Sequence, residues 1–316
     1  MTTFNPLILQ ETSSSTCEKF QQNSRRCFLY WRQRQLLVLQ FASPTSSSNE
    51  KQPPLPPLSD PGWLLDCLQR SPIQRVRIDP GLGEATVKQW ADVCEQAGKD
   101  IYLRLPSAAQ LPQKCRSILW GWKRALDWAV AALLLVVLSP LLVGIAIAIA
   151  LSSPGAVVFS QWRVGQRGKL FRVLKFRTMV ADAEQAHHGI MANQGAGCLH
   201  KREDDPRITP LGKWLRRYSL DELPQLINVL RGEMSLVGPR PWALYDAVRI
   251  RPEMQERLNA LPGITGAWQV EARSTLLDLD AVNRRDLEYL KNWSLGGDFK
   301  ILLQTVPKVL SGFGAF

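Results

Sequence analysis

Paired cysteines, clustered histidines and acidic residues are what this 316-residue chain has little of. Its six cysteines (Cys17, Cys27, Cys67, Cys94, Cys115 and Cys198) contain no C-x-x-C pair and none stands at metal-ligand spacing from a histidine. That argues against a zinc site and against a disulfide framework, and it fits a reducing, cytoplasm-facing location. His187, His188 and His200 lie in a polar stretch rich in Gly and Asp and read as solvated loop residues. The dinucleotide fingerprint is missing too, because "GLGEAT" (residues 81–86) lacks the required glycine spacing. No apolar h-region begins near Met1, so a signal peptide is not expected. Asp and Glu number 28 against 39 Lys and Arg, a formal charge of +11. Such an excess suits nucleic acid, lipid headgroups or a phosphorylated substrate. No nucleic-acid-binding module is recognisable, and a positive charge at a membrane needs no nucleic acid to explain it.

Charge is also absent from a long internal block. Trp128 to Leu151 reads "WAVAALLLVVLSPLLVGIAIAIAL". At ~1.5 Å per residue, some two dozen apolar residues just span a hydrocarbon core ~30 Å thick. Ser139-Pro140 near the middle predicts a bend, since proline removes a backbone donor and clashes with the preceding turn. Both flanks are basic: Lys114, Arg116, Lys123 and Arg124 precede the block, and Arg163, Arg167, Lys169, Arg172, Lys175 and Arg177 follow it. The positive-inside rule draws both flanks to the cytoplasm, and a re-entrant helix–break–helix over about 119–151 meets that demand better than a crossing. Its backbone at the break needs partners such as the Ser139 hydroxyl. Trp120, Trp122 and Trp128 are candidate anchors at headgroup level.

Three regions follow from composition. Residues 1–57 form an ill-defined N-terminal region with one candidate strand, Leu36–Phe41, and end in a proline-rich linker, "QPPLPPL". Residues 58–110 read as helix (Trp63–Arg70), strand (Gln74–Ile78), helix (Glu84–Gln96), strand (Asp100–Leu105), a small α/β module for regulation or docking. Residues 111–316 hold the membrane block, two strand-like runs, a polar loop over Ala181–Arg207, an amphipathic helix in "TPLGKWLRRYS" and an apolar C-terminal helix suited to a membrane surface. The expected fold class is α/β, with an α+β-like membrane-associated domain behind the small module.

The stretch "SLDELPQLINVLRGEMSLVGPRP" carries the candidate chemistry. Ser219 and Glu222 have capping-box spacing, and acids suit a first helical turn, so Asp221 and Glu222 have a purely structural reading. Lys175, Arg177, Arg216, Arg217 and Arg240 surround the pair in sequence, and guanidinium forks bind phosphate oxygens in bidentate fashion. These cations equally suit a solvated face or lipid headgroups. In the chemical reading, one carboxylate attacks phosphorus and its neighbour helps hold Mg²⁺, which takes oxygen ligands and keeps waters and substrate phosphates in its shell.

The ordered runs "KRALDWAVAALLLVVLSPLLVGIAIAIALSSPGAVVFSQWRVGQRGKLFRVLKFRTM", "DPRITPLGKWLRRYSLDELPQLINVLRGEMSLVGPRP" and "LPGITGAWQV" resemble the bacterial sugar transferases, the monotopic polyprenyl-phosphate phosphoglycosyl transferases. The resemblance covers roughly residues 117–316. It implies a re-entrant helix broken at Ser139-Pro140, on the cytoplasmic face of a bacterial inner membrane. It further implies an Asp–Glu dyad that moves a sugar phosphate from a nucleoside-diphosphate sugar, a UDP-sugar in the first instance, to undecaprenyl phosphate. By position, Asp221 matches the nucleophile and Glu222 the partner that helps hold Mg²⁺. Lys175, Arg216 and Arg240 match positions used around the phosphates, and Asp286 in "RDLEYLKNWS" matches a motif near the active face.

The implied partners are the nucleotide sugar, polyprenyl phosphate and membrane lipid, with a homodimer left open and no nucleic acid. The chain departs from the family in "LPGITGAWQVEAR": Leu261 replaces a common arginine, Ala267-Trp268 replaces Trp-Ala, and Glu271-Ala272 replaces Asn-Gly. Losing one fork removes on the order of 1–3 kcal/mol of charge-assisted phosphate bonding, which bears on nucleotide recognition rather than on the chemical step. A catalytically impaired membrane scaffold for polysaccharide synthesis is the rival reading.

Overall fold

The computed structural model describes residues 7–8, 27–32, 34–40, 60–104, 118–180, 183, 205–248, 252–272 and 279–311. They form two compact units of mixed helix and sheet, residues 1–107 with 167–170 and 242–252, and residues 108–166 with 171–241 and 253–316. The His residues, the "QPPLPPL" stretch, Lys114, Arg116 and nearly all of the expected loop over Ala181–Arg207 lie outside the described residues.

The first unit is a five-stranded sheet, β1 (Leu7–Ile8), β2 (Cys27–Arg32), β3 (Gln35–Gln40), β4 (Arg75–Ile78) and β5 (Asp100–Leu103), in sequence order. β2 pairs antiparallel with β1 and β3, while β3–β4 and β4–β5 pair parallel. Parallel neighbours need crossovers, supplied by α1 (Pro61–Arg70) and α2 (Glu84–Gln96). Val76 and Ile78 alternate inward against Arg75 and Arg77, and Val87, Trp90 and Cys94 of α2 are buried. The two helices and two strands expected over 63–105 are present. The expected boundary at residue 57 is not: β3 bonds directly to β4, so Cys27–Arg32 and Gln35–Gln40 belong to the same sheet as the module.

In the second unit the apolar block forms two helices, α3 (Ile118–Val137) and α4 (Ser139–Ser152), bent by 62°. No single helix among the described residues is long and apolar enough to cross a membrane, whereas this bent pair meets that test by length and composition. Pro140 has no N–H to offer the carbonyl of Val136, and the Ser139 hydroxyl takes that acceptor instead, at 2.8 Å. Leu138 and Leu142 keep their own bonds to Leu134 and Leu138, so the break leaves the ladder nearly intact.

Two cations of the basic flank before the block, Lys123 and Arg124, are spent inside the protein. Lys123, 4% exposed, sits 2.7 Å from Asp298 and 3.6 Å from Asp127. Arg124 donates to the carbonyls of Met234 and Val229 and lies over the Trp128 ring. These two cations therefore do not face headgroups as the flank-charge reading expects. Of the three tryptophans, Trp120 stacks on Trp293, while Trp122 and Trp128 keep much of their surface exposed.

Strands β6 (Val158–Val164) and β7 (Leu170–Phe176) are sheet neighbours. Behind them come α5 (Pro210–Arg217), a 3₁₀ turn (Leu220–Glu222), α6 (Gln225–Leu230), the parallel pair β8 (Ser235–Val237) and β9 (Gly263–Thr265), α7 (Ala267–Ala272), α8 (Leu279–Lys291) and α9 (Leu295–Ser311). One core joins Ala131 of α3 to Phe171, Val173, Leu226, Val229, Leu236, Val270 and Ile301. A second packs Ile145 and Ile149 of α4 on Phe176 and Leu215.

Asn228, fully buried on α6, stands in for a neighbouring strand: its side chain accepts from the Leu174 N–H (3.0 Å) and donates to the Arg172 carbonyl (2.8 Å). It thereby docks α6 against the edge of β7. Replacing Lys123 with Met strands the Asp298 carboxylate in the interior. The loss should be on the order of 3–5 kcal/mol, read as a lowered unfolding midpoint of the detergent-held protein.

Candidate active site

Lys175 is the last residue on the face of β7 that carries Phe171 and Val173. It stands where that core opens into a cleft, and its ammonium meets Glu222 Oε1 at 2.7 Å. Glu222 and Asp221 come from the 3₁₀ turn that joins α5 to α6. The expected capping box does not form, because Ser219 adopts a left-handed conformation (φ 53°) and makes no side-chain cap bond. The Glu222 carboxylate is turned to Lys175 instead, so the acid pair is not explained by capping. Ser219 is one of two non-glycine residues with positive φ among the described residues, a strained turn directly beside the dyad.

Arg216 reaches the dyad from the end of α5. Thr209 caps that helix through the Gly212 N–H, and Gly212 allows a close approach, since a Cβ there would lie 2.1 Å from the Thr178 carbonyl oxygen. The Arg216 Nε then donates to Thr178 Oγ1 at 2.9 Å. Burial lowers the Arg216 pKa, opposed chiefly by the Asp221 charge. Asp221 is 8% exposed, and burial lifts its pKa to about 6. Lys175 and Arg216 pull it back down, while Glu222 pushes it up. An acid so placed is ionised at neutral pH yet poorly solvated, a condition suited to a nucleophile.

Arg240 lines the same cleft from the Gly238-Pro239-Arg240-Pro241 segment, which lies against β9. A Cβ on Gly263 would come within 2.1 Å of the Gly238 nitrogen, so neither strand tolerates a side chain there. Trp268 lies under the Arg240 guanidinium, 5.8 Å from its ring centre. The Ala267-Trp268 order thus supplies a platform for the cation. The backbone of Arg240 is held from behind: Arg257, 2% exposed, donates to its carbonyl (2.7 Å), to Asn283 (2.6 Å) and to Asp286 (2.5 Å).

Asp286 therefore lies in a buried support under Arg240 and not in the cleft lining. Burial raises its pKa against the opposing charge of Arg257. Arg177 is not with Lys175 either. β7 ends at Phe176, the two-residue alternation stops, and Arg177 caps the end of α4 through the carbonyls of Ser153 (2.6 Å) and Pro154 (3.0 Å). Asp221, Glu222, Lys175 and Arg216 come together, and Arg240 joins Lys175 and Glu222 in the cleft. Sequence reading missed Asn228, Arg257 and Arg163, the last of which lines the cleft while donating to the Pro241 carbonyl. Arg163 had been visible only as one of several basic flanking residues.

For divalent metal, the described residues contain no cluster of three or more His, Cys, Asp or Glu. The adjacent Asp221 and Glu222 carboxylates are still hard oxygen donors of the kind Mg²⁺ accepts when substrate phosphates and waters complete its shell. The donor set fits a shared site and not a protein-only cage.

Because the folded pKa of Asp221 lies above the ordinary carboxylate value, its ionisation disfavours folding. The cost is absent below about pH 4, where the carboxyl is protonated in both states, and complete above about pH 6, where it is on the order of 3 kcal/mol. Asp221→Asn should accordingly melt higher than wild type at pH 8 and level with it near pH 4, a difference that unfolding scans across that range would read.

The model of the bacterial sugar transferase family matches residues 118–312. The galactosyl transferase CpsE of Streptococcus agalactiae is 46% identical over 162 residues, 51% of this chain and 36% of that protein. The undecaprenyl-phosphate glucose phosphotransferase of Komagataeibacter xylinus is 43% identical over 207 residues, 61% of this chain and 37% of its own. The UDP-glucose:undecaprenyl-phosphate glucose-1-phosphate transferase of Caulobacter vibrioides is 43% identical over 202 residues, 61% of this chain and 72% of its own. The chain spans well under half the length of several of the relatives it matches. With more than half of its residues under the family model, this chain belongs to the bacterial sugar transferases.

Proposed function

We propose that the protein transfers a hexose 1-phosphate from a nucleoside-diphosphate sugar, a UDP-sugar first among them, to polyprenyl phosphate. The observation that carries this reading is the buried Asp221 carboxyl, with a pKa near 6, beside Lys175, Arg216 and Glu222. In the first step an Asp221 carboxylate oxygen bonds to the β-phosphorus, and the bond from that phosphorus to the bridging oxygen breaks. The nucleoside monophosphate leaves with the bonding electrons. Lys175, Arg216 and Arg240 offset charge on the diphosphate, and being fixed beforehand they need no reorganisation as charge moves. Glu222 would help hold Mg²⁺, which would supply Lewis-acid stabilisation of charge on the substrate phosphates. In the second step a phosphate oxygen of the lipid acceptor attacks the aspartyl-phosphosugar, releasing the Asp221 carboxylate and giving polyprenyl-diphosphate-sugar.

The bent pair α3–α4 is our candidate for a re-entrant membrane anchor on the cytoplasmic face of a bacterial inner membrane. Its support is apolar exposure: Leu133, Val136, Val137, Val143, Ile147 and Leu151 each leave more than half of their surface uncovered. A soluble fold rarely leaves such a patch to water. Helix α9 adds Phe299, Leu303, Val306 and Leu310 along one outward stripe. A lipid acceptor that cannot leave the bilayer cheaply requires an enzyme that stays at its surface.

The test is nucleoside monophosphate release by the nanodisc-held protein with undecaprenyl phosphate, Mg²⁺ and a panel of UDP- and GDP-sugars. Release should require the lipid, disappear with EDTA and fall at least a thousandfold in Asp221→Asn. Its pH dependence should rise through an apparent pKa near 6, where Asp221 ionises. Donor binding without turnover in the folded protein would replace this reading with that of a scaffold.

A further inference from the structure

The cleft holds one acceptor that its charged residues do not explain. Gln269, on α7, lines it together with Lys175, Glu222 and Arg240, and its Oε1 is shut off from solvent with no hydrogen-bond partner. The indole N–H of the neighbouring Trp268, 2% exposed, is likewise without a partner. A buried polar atom left unpaired costs about 1–3 kcal/mol, and native structures carry few of them. The cations around it are engaged. Lys175 is on Glu222, Arg163 is on the Pro241 carbonyl and on Gln161, and Arg240 lies over Trp268.

An amide oxygen accepts and cannot donate. A diphosphate offers only acceptor oxygens, so this atom has no use for the part of a substrate that the cations take. What it can pair with is an O–H or N–H. A nucleotide sugar carries such donors on either side of the charged middle, the hydroxyls of the hexose on one and the ribose hydroxyls and base N–H of the nucleoside on the other.

We infer that Gln269 is a specificity-determining residue of this site, its side-chain oxygen accepting a hydrogen bond from an uncharged donor group of the nucleotide sugar. The inference rests on the reaction proposed above for what the ligand is. It does not rest on that reaction for the existence of the unpaired acceptor. Its place within α7 suits the role, because a side chain on a short helix against β9 is better fixed than one on a loop. Sites built to accept a hydrogen bond discriminate strongly against ligands that cannot supply it, since the acceptor is then left buried and unpaired.

Gln269→Leu keeps the approximate volume and removes the acceptor, and Gln269→Asn keeps the amide but withdraws its reach. Both would be compared with wild type by steady-state kinetics with UDP-glucose, UDP-galactose and GDP-glucose, and by calorimetric binding of those donors and of UMP. The expected result for Leu is a fall in kcat/KM of roughly tenfold to a hundredfold, carried in KM with kcat within about threefold, and an intermediate loss for Asn. If the partner is on the nucleoside, UMP binding weakens by the same factor, and the preference between UDP and GDP donors shrinks as well when that partner is the base and not the ribose. If it is the hexose, UMP binding is unchanged and the preference between glucose and galactose shrinks. Unchanged binding and unchanged preferences in a folded Gln269→Leu overturn the inference, as does an equal drop in kcat for all donors. Wild-type protein that binds donors without transferring them would refute the reaction alone, and the binding comparison would still decide the role of Gln269.

Discussion

Keeping the Asp221 carboxylate ionised inside the protein is the constraint to which the second unit is fitted. Burial alone favours the neutral acid, and Lys175 and Arg216 hold it back to a pKa of about 6. Each cation comes from a different element, so three elements must meet at one point: the end of β7, the end of α5 and the 3₁₀ turn. The devices that bring them together are small ones. Gly212 lets α5 touch the strand end, Asn228 fastens α6 to the edge of β7, and Ser219 turns the chain through a left-handed conformation. The buried carboxylate and the left-handed Ser219 both cost stability at this point, a pattern common at functional sites.

The same economy holds where the apolar block bends. Pro140 frees one carbonyl and Ser139 satisfies it from one residue earlier, so that carbonyl does not need water in an apolar surrounding. The two helices then serve two cores. Ala131 of α3 belongs with α6, β8 and α7, and Ile145 and Ile149 of α4 belong with α5 and the end of β7. The block is therefore a packed part of this unit's interior as well as the source of its exposed apolar surface.

Elements with a strong period were legible in the sequence, because burial on one face writes itself directly into residue order. α2 runs from Glu84 to Gln96 as read, and β4, α1 and β5 differ from the reading by one to two residues at their ends. The meeting of Lys175 with Glu222 was readable only as a proximity of charges in sequence, and Arg177 shows the limit of that method. Two residues on from Lys175 it appeared to share a face, yet the strand ends between them and the side chain turns to α4. The capping box failed for a related reason. A favourable local bond between Ser219 and Glu222 was outcompeted by an ion pair with a residue 47 positions away. Lys123 carried no sign in its neighbours that its partner would be Asp298, 175 residues on. Long-range pairing leaves no period behind.

That last pairing affects how the protein can be taken apart. Asp298 also accepts from the Tyr289 hydroxyl (2.6 Å) and the Trp293 indole (3.2 Å), so one carboxylate ties the foot of the apolar hairpin to α8 and α9. The bent pair is thus not a detachable part in the engineering sense. A graft that moves residues 118–152 onto another domain carries a buried lysine without its counter-ion. A version made by deleting the pair leaves Asp298 without that lysine. In either direction the unit that can be exchanged is the bent pair together with the C-terminal helices, two segments far apart in the chain that only the fold makes one piece.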